Sequence, residues 1–258
     1  MNDSAITGRS LPPTTNPKAV RSSAFITTRW SLVVTAGQPD ASEARSALTR
    51  LCQTYWYPLY VYVRRRGHSP DDARDLTQDF FTELLAKNWV ADADQTKGRF
   101  RSFLLCTLNH FLSDAWDKTH AQKRGGGMHL IPLQLDTAET RFGHERADGT
   151  TPEKSFERRW AMTLLDEVLD QLRTSYAAEG KADLFAVLTP CLVGDHTLQP
   201  YAKLAQTLGT TAGTVKSAVH RLRQNYRQKL REEIAHTVST PQDVDEEMRY
   251  LFSILAME

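Results

Sequence analysis

Residues 207–223 read TLGTTAGTVKSAVHRLR, and the way this stretch turns decides the architecture of the C-terminal part of the chain. Gly209 closes one apolar run, and Val215, Val219 and Leu222 recur at helical spacing after it. Two helices that meet across a tight turn need a small residue at the contact and a glycine where the chain turns with positive φ. They also need an apolar residue that packs the second helix back on the first. Ala205, Gly209 and Val215 meet these needs in order, and Thr211 is placed to cap the second helix. Thr214, Lys216, Ser217, His220, Arg221 and Gln224 then face away from the core, with Arg223 among the flanking cations. Small polar groups at a helix start, with cations behind them, suit a DNA groove and its phosphates. The same face also suits an ordinary basic hairpin that meets only solvent. The six Lys/Arg residues and no acid between Lys216 and Arg231 tilt the reading towards nucleic acid.

Outward from this stretch the charge is uneven. The net charge is only +1 over 258 residues. Yet seven acids stand against Arg74 and Lys87 between Asp71 and Asp94, and seven stand against Arg249 between Glu232 and Glu258. An acidic block, a basic block and an acidic tail imply different partners for different parts. At 40% apolar and 24% charged the composition is that of an ordinary globular protein. No apolar run approaches the ~20 residues that span a bilayer, and the N-terminus lacks the apolar core of a secretory signal. Cys52, Cys106 and Cys191 lie far apart in apolar surroundings, which reads as a reduced, cytoplasmic protein with buried thiols.

Nearly every periodic segment reads as helix, so the expected class is all-α. Residues 1–28 are rich in Ser, Thr and Pro and read as a disordered tail. Residues 42–66 carry a helical apolar pattern, with a break or kink expected at Pro58. Ser69 and Pro70 open a helix that runs to about Asn88, and another covers roughly Phe100–Gln122 before the glycines at 125–127. Residues 126–151 have little periodicity and read as a linker, whose apolar piece at 129–133 is suited to docking. Thr151 and Pro152 start a helix with Phe156, Trp160, Leu164, Val168 and Leu172 on one stripe, and 183–192 form another. The expectation is therefore two small helical domains, 29–125 and 152–235, followed by an acidic extension at 236–258.

With DARDLTQDFFTELL at 72–85 and GTTAGTVKSAVHRLR at 209–223 both in view, the sequence resembles bacterial RNA polymerase sigma factors of the extracytoplasmic-function group. The resemblance covers about 45–125 (region 2) and 153–235 (region 4). It implies that the first helix grips a coiled coil on the polymerase β′ subunit through Asp72, Asp75, Gln78, Asp79, Thr82 and Glu83. Of these, Asp75, Gln78, Asp79 and Thr82 follow the i, i+3, i+4, i+7 pattern opposite the apolar face of Ala73, Leu76, Phe80, Leu84 and Leu85. The segment RFRSFLLCTLNHFLSD at 99–114 resembles the family's promoter-melting segment, departing from the usual residues at Phe103 and His110. Holding separated strands requires cations and base pockets. Arg99, Arg101, Lys118, Lys123 and Arg124 are the candidate cations, and Asn109, His110 and Trp116 the candidate base contacts. Phe100, Phe103 and Leu104 read as core, and Arg64–Arg66 as a solvated helix end. The upstream-element set is Thr211, Thr214, Lys216, Ser217, His220, Arg221, Arg223 and Gln224.

The implied partners are core RNA polymerase, through β′ and β, promoter DNA, and a regulator such as an anti-sigma factor. No membrane, small-molecule substrate, cofactor or metal is implied. A free-standing helix-turn-helix regulator is the rival reading, and it leaves the acidic helix and the melting segment without a use. No nucleotide-binding, zinc-protease or nucleophile-elbow motif supports an enzyme.

Overall fold

Local chemistry sets the helix starts. The Ser69 hydroxyl accepts from the Asp72 amide at 3.1 Å and opens α3 (Pro70–Ala86). Thr151 does the same for α6 (Pro152–Ala178) and Thr211 for α9 (Ala212–Ala235), each leaving fewer orphan amides at its helix end. The computed structural model describes residues 29–38, 42–121, 135–143, 151–192 and 201–256. All its regular elements are helices, with no strand among the described residues. The remaining helices are α1 (Trp30–Ala36), α2 (Ser42–Arg65), α4 (Phe100–Ala121), α5 (Leu135–Gly143), α7 (Ala182–Leu188), α8 (Tyr201–Thr207) and α10 (Pro241–Leu255). The N-terminal tail at 1–28 and the apolar piece at 129–133 lie outside the described residues.

The helix α2 is the centre of the larger core. From Leu51 to Val63 nearly every side chain is buried, because α1, α3 and α6 all pack against it. It runs unbroken through Pro58, where the sequence predicts a break or a kink, so the break does not occur. A proline inside a helix, with its lost ladder bond and the clash of its ring on the preceding turn, costs ~3 kcal/mol. Fully burying a single large apolar side chain is worth ~1.5–3 kcal/mol, and Tyr55, Leu59 and Tyr62 around the proline are all buried. The α3 face is also richer than its sequence pattern. Thr77 and Phe81 are buried with Ala73, Phe80 and Leu84, and the Thr77 hydroxyl donates to the Ala73 carbonyl at 2.7 Å.

Two apolar cores result, and the larger draws on both sides of residues 126–151. Phe156, Trp160, Leu164 and Val168 of α6 join it, as do Leu230 and Ile234 of α9 and Val244, Met248 and Leu251 of α10. Phe156 is fully buried and its ring stacks on Tyr55 of α2 at 6.5 Å. The smaller core gathers Leu172, Phe185, Leu188, Leu204, Ala205, Val215, Val219 and Leu222. Tyr226 touches both, and its hydroxyl donates to the Leu165 carbonyl at 3.2 Å.

Polar ties complete the larger core. Trp30 donates through Nε1 to the Thr237 carbonyl at 3.2 Å, and Arg29 pairs with Glu233 at 2.7 Å. Gln171 donates to Glu233 at 2.8 Å and to Glu167 at 3.2 Å. Burial, with the Glu233 charge behind it, pushes the Glu167 carboxyl up to about 7 despite the Gln171 hydrogen bond. The thiols are not uniformly buried as expected. Cys52 is buried and its pKa is pushed up to about 12 by desolvation, but Cys191 is half-buried and Cys106 exposed. Cys106 faces out because the apolar stripe of α4 runs through Phe100, Leu104, Leu108 and Phe111 instead.

Candidate nucleic-acid interface

The turn between α8 and α9 has the geometry its sequence demands. Gly209 adopts φ +59°, in the left-handed region. The Thr210 amide donates to the Ala205 carbonyl at 2.9 Å and the Gly209 amide to Gln206 at 3.3 Å, which closes the end of α8 with paired carbonyls. Ala205 and Val215 are buried at the helix contact. Across the turn, the Thr211 hydroxyl accepts from the Thr214 amide at 3.2 Å and lies 2.9 Å from the Thr214 hydroxyl.

That packing leaves Thr211, Thr214, Lys216, Ser217, His220, Arg221 and Gln224 exposed on α9, within its first four turns. They form a single polar, cationic surface opposite Val215, Val219 and Leu222. Arg223 is placed differently. It is half-buried, and its guanidinium donates to the Cys191 carbonyl at 3.2 Å through Nε and 2.6 Å through Nη2. It ties the short helical turn Thr189–Cys191 to α9, so its first role is structural.

The α3 set also reaches the surface. Asp72, Asp75 and Asp79 are exposed, and Gln78, Thr82 and Glu83 half-buried. Arg74 sits between Asp71 and Asp75 at 3.2 Å from each, and Lys87 pairs with Glu83 at 2.7 Å. The face is therefore partly neutralised by its own helix. Partial burial and the neighbouring Asp75 and Glu83 charges hold the Asp79 carboxyl above its ordinary value, as expected of a crowded acidic surface.

The α4 candidates separate into distinct environments. Lys123 and Arg124 lie outside the described residues, as do the side chains of Trp116 and Lys118. His110 is exposed. Asn109 is engaged from α2, accepting from the Tyr62 hydroxyl at 2.8 Å and Arg66 at 2.6 Å. Arg101, expected on the DNA-facing side, is only 2% exposed. Its guanidinium lies 2.7 Å from Glu157 of α6, 2.6 Å from Glu247 of α10 and 3.9 Å from the Trp160 ring centroid. Burial works against that charge, but the two carboxylates outweigh it and raise the arginine pKa above its usual value. Arg99 pairs with the same Glu247 at 2.5 Å and lies over the Tyr250 ring at 5.2 Å. In this conformation Arg101 is withdrawn from any external strand, because residues far along the chain close over it.

Arg64 and Arg65 are not a simple solvated end. The Arg64 guanidinium is paired with Glu139 of α5 at 2.7 Å, donates to the His68 carbonyl and lies 4.6 Å from the Phe142 ring. Part of the expected linker is thus a short helix docked on α2. Its signal in the sequence, Ala138 and Phe142 at i, i+4 with Glu139 between them, is a single turn of pattern.

Among the described residues no cluster of His, Cys, Asp and Glu could hold a metal ion, and no helix is long and apolar enough to cross a membrane. Comparison of the chain with protein-family models, curated proteins and solved structures finds no match.

Proposed function

We propose that this chain is a sigma factor, a dissociable subunit that gives core RNA polymerase its promoter specificity. The observation that carries the reading is the capped, glycine-turned α8–α9 pair with its exposed surface of Thr214, Lys216, Ser217, His220, Arg221 and Gln224. That surface has the dimensions and chemistry for the major groove of an upstream promoter element. The acidic face of α3, including Asp75, Gln78 and Asp79, docks on the β′ coiled coil, where an acidic, amide-bearing surface suits a basic helical partner. The region around α4 captures the melted strand. In this reading 29–125 serves polymerase docking and promoter melting and 152–235 serves the upstream element, while the two share the larger core through Phe156, Trp160, Leu164 and Val168, and the protein works in the cytoplasm without a cofactor. The chemistry belongs to polymerase.

The test is co-elution of the purified chain with bacterial core polymerase, followed by transcription from a promoter pool. Co-elution with start sites absent from core alone is the expected result. The double variant Asp75→Lys, Gln78→Ala should keep its helical circular dichroism and lose co-elution. A variant that still travels with core removes α3 from the docking role. A wild-type chain that binds promoter-sized duplex DNA but no core leaves the free-standing helix-turn-helix regulator as the function.

A further inference from the structure

The acidic C-terminal segment is a folded helix with its own start. Thr240 and Asp243 cap α10 reciprocally, each side chain accepting from the other's backbone amide, and Pro241 occupies the first turn. Val244, Met248, Leu251 and Ile254 form its buried stripe, and Phe252 is 53% exposed on the other side. On the buried stripe stands one carboxylate, Glu247, with 0% exposure. It faces Arg99 at 2.5 Å and Arg101 at 2.6 Å.

A carboxylate shared by two arginines reproduces what a phosphate offers the same pair. Burying it is costly, and an apolar residue in its place is often neutral or stabilising, so stability alone does not account for Glu247. Each oxygen of Glu247 meets a different arginine, and Nη2 of Arg101 is buried with no hydrogen-bond partner.

We infer that α10 is an intramolecular competitor for single-stranded nucleic acid at the start of α4, and that strand binding requires α10 to leave. The occupant of the site is the chain's own helix, and the external ligand is a phosphodiester strand bound by Arg99 and by the side of Arg101 that Glu247 vacates, with Arg101 still anchored to Glu157 of α6 at 2.7 Å. The inference rests on the sigma-factor reading for the identity of that strand. A hinge adjoins the helix. Gln95 donates to the Val238 carbonyl at 2.9 Å, and the Ser239 hydroxyl donates to the Gln95 carbonyl at 2.6 Å, so the chain is pinned as far as Ser239. Ser239 and Thr240 are exposed, and α10 swings from there with its cap intact.

The experiment measures binding of a fluorescein-labelled 20-nucleotide single-stranded DNA of random sequence by anisotropy. The full chain is compared with Glu247→Gln and with the chain ended after Ser239. If α10 is seated in nine molecules out of ten or more, both changes should tighten binding about tenfold or more, because apparent affinity scales with the competent fraction. Adding Arg99→Ala and Arg101→Ala to the shortened chain should abolish the gain. Unchanged binding by a folded shortened chain overturns the inference, and so does a gain that survives loss of both arginines. Should the shortened chain fail to fold, Glu247→Gln decides alone, and unchanged binding by it overturns the inference. Core-polymerase co-elution is read in parallel. A chain that binds core but gains no strand affinity overturns the competitor and spares the sigma-factor reading. A gain without core binding supports the competitor and overturns the sigma-factor reading.

Discussion

Phe156→Ala tests whether the first half of α6 belongs to the larger core. Phe156 is fully buried and stacked on Tyr55, in a helix that begins after the expected linker. Truncating a buried Phe costs about 3–5 kcal/mol, which includes the cavity left behind. The lost ring pair contributes about 0.5–1.5 kcal/mol of that. With a urea slope of ~3 kcal/mol/M for a chain of this size, the midpoint should fall by about 1–1.7 M. Tryptophan fluorescence is the right probe, because Trp30, Trp56 and Trp160 are in the larger core and Trp89 packs against it. The smaller core holds no tryptophan among its described residues. If 152–168 served only the smaller core, the signal of Trp30, Trp56 and Trp89 would not follow the substitution, so the measurement is made with Trp160 replaced by Phe in both the parent and the variant. A fluorescence midpoint moved by less than about 0.3 M, under ~1 kcal/mol at that slope, would refute the shared core.

Two further outcomes follow from the geometry. Arg223→Ala should lower stability by about 1.5–3 kcal/mol in far-UV circular dichroism melts, as a charged donor to the Cys191 carbonyl is lost, whereas Arg221→Ala should stay within about 0.5 kcal/mol of the parent. Glu167 titrates at about 7 in the fold, above its ordinary 4.5. The folded state therefore holds the extra proton between those values, and stability should fall as pH rises through that window. Urea midpoints between about pH 5 and pH 8 should show this slope, and Glu167→Gln should flatten it.

Features written within one helical turn were readable from the chain alone. The caps at Ser69, Thr151 and Thr211, and the left-handed Gly209, follow from neighbours three or four residues apart. Arg101 was not readable in this way. Its fate depends on Glu157, 56 residues away, and on Glu247 beyond that, and no local pattern announces such partners. The α10 helix had a local signal, the Thr240–Asp243 cap and the spacing of Val244, Met248 and Leu251, but its acidic composition masked it. At Pro58 the expected break fails for the opposite reason, since the local rule is sound and tertiary burial keeps the helix continuous. Whether the exposed α9 surface meets DNA is a property of a partner, which neither pattern nor packing contains.

Two helices run through both cores. At 1.5 Å per residue, the 27 residues of α6 and the 24 of α9 are rods of roughly 40 and 36 Å, riveted near mid-span by Tyr226 on Leu165. A frame with one such strut would pivot freely, but a frame with two resists torsion. The last turns of α9 carry Arg231, paired with Asp245 of α10, while its first turns carry the cationic surface. A tilt of about 10° about that rivet would carry the first turn of α9, about 21 Å away, through ~4 Å. Through Arg231 and Asp245 the seat of α10 and the pitch of α9 are parts of one frame, so the release inferred above would also unload the end of the rod opposite its cationic surface.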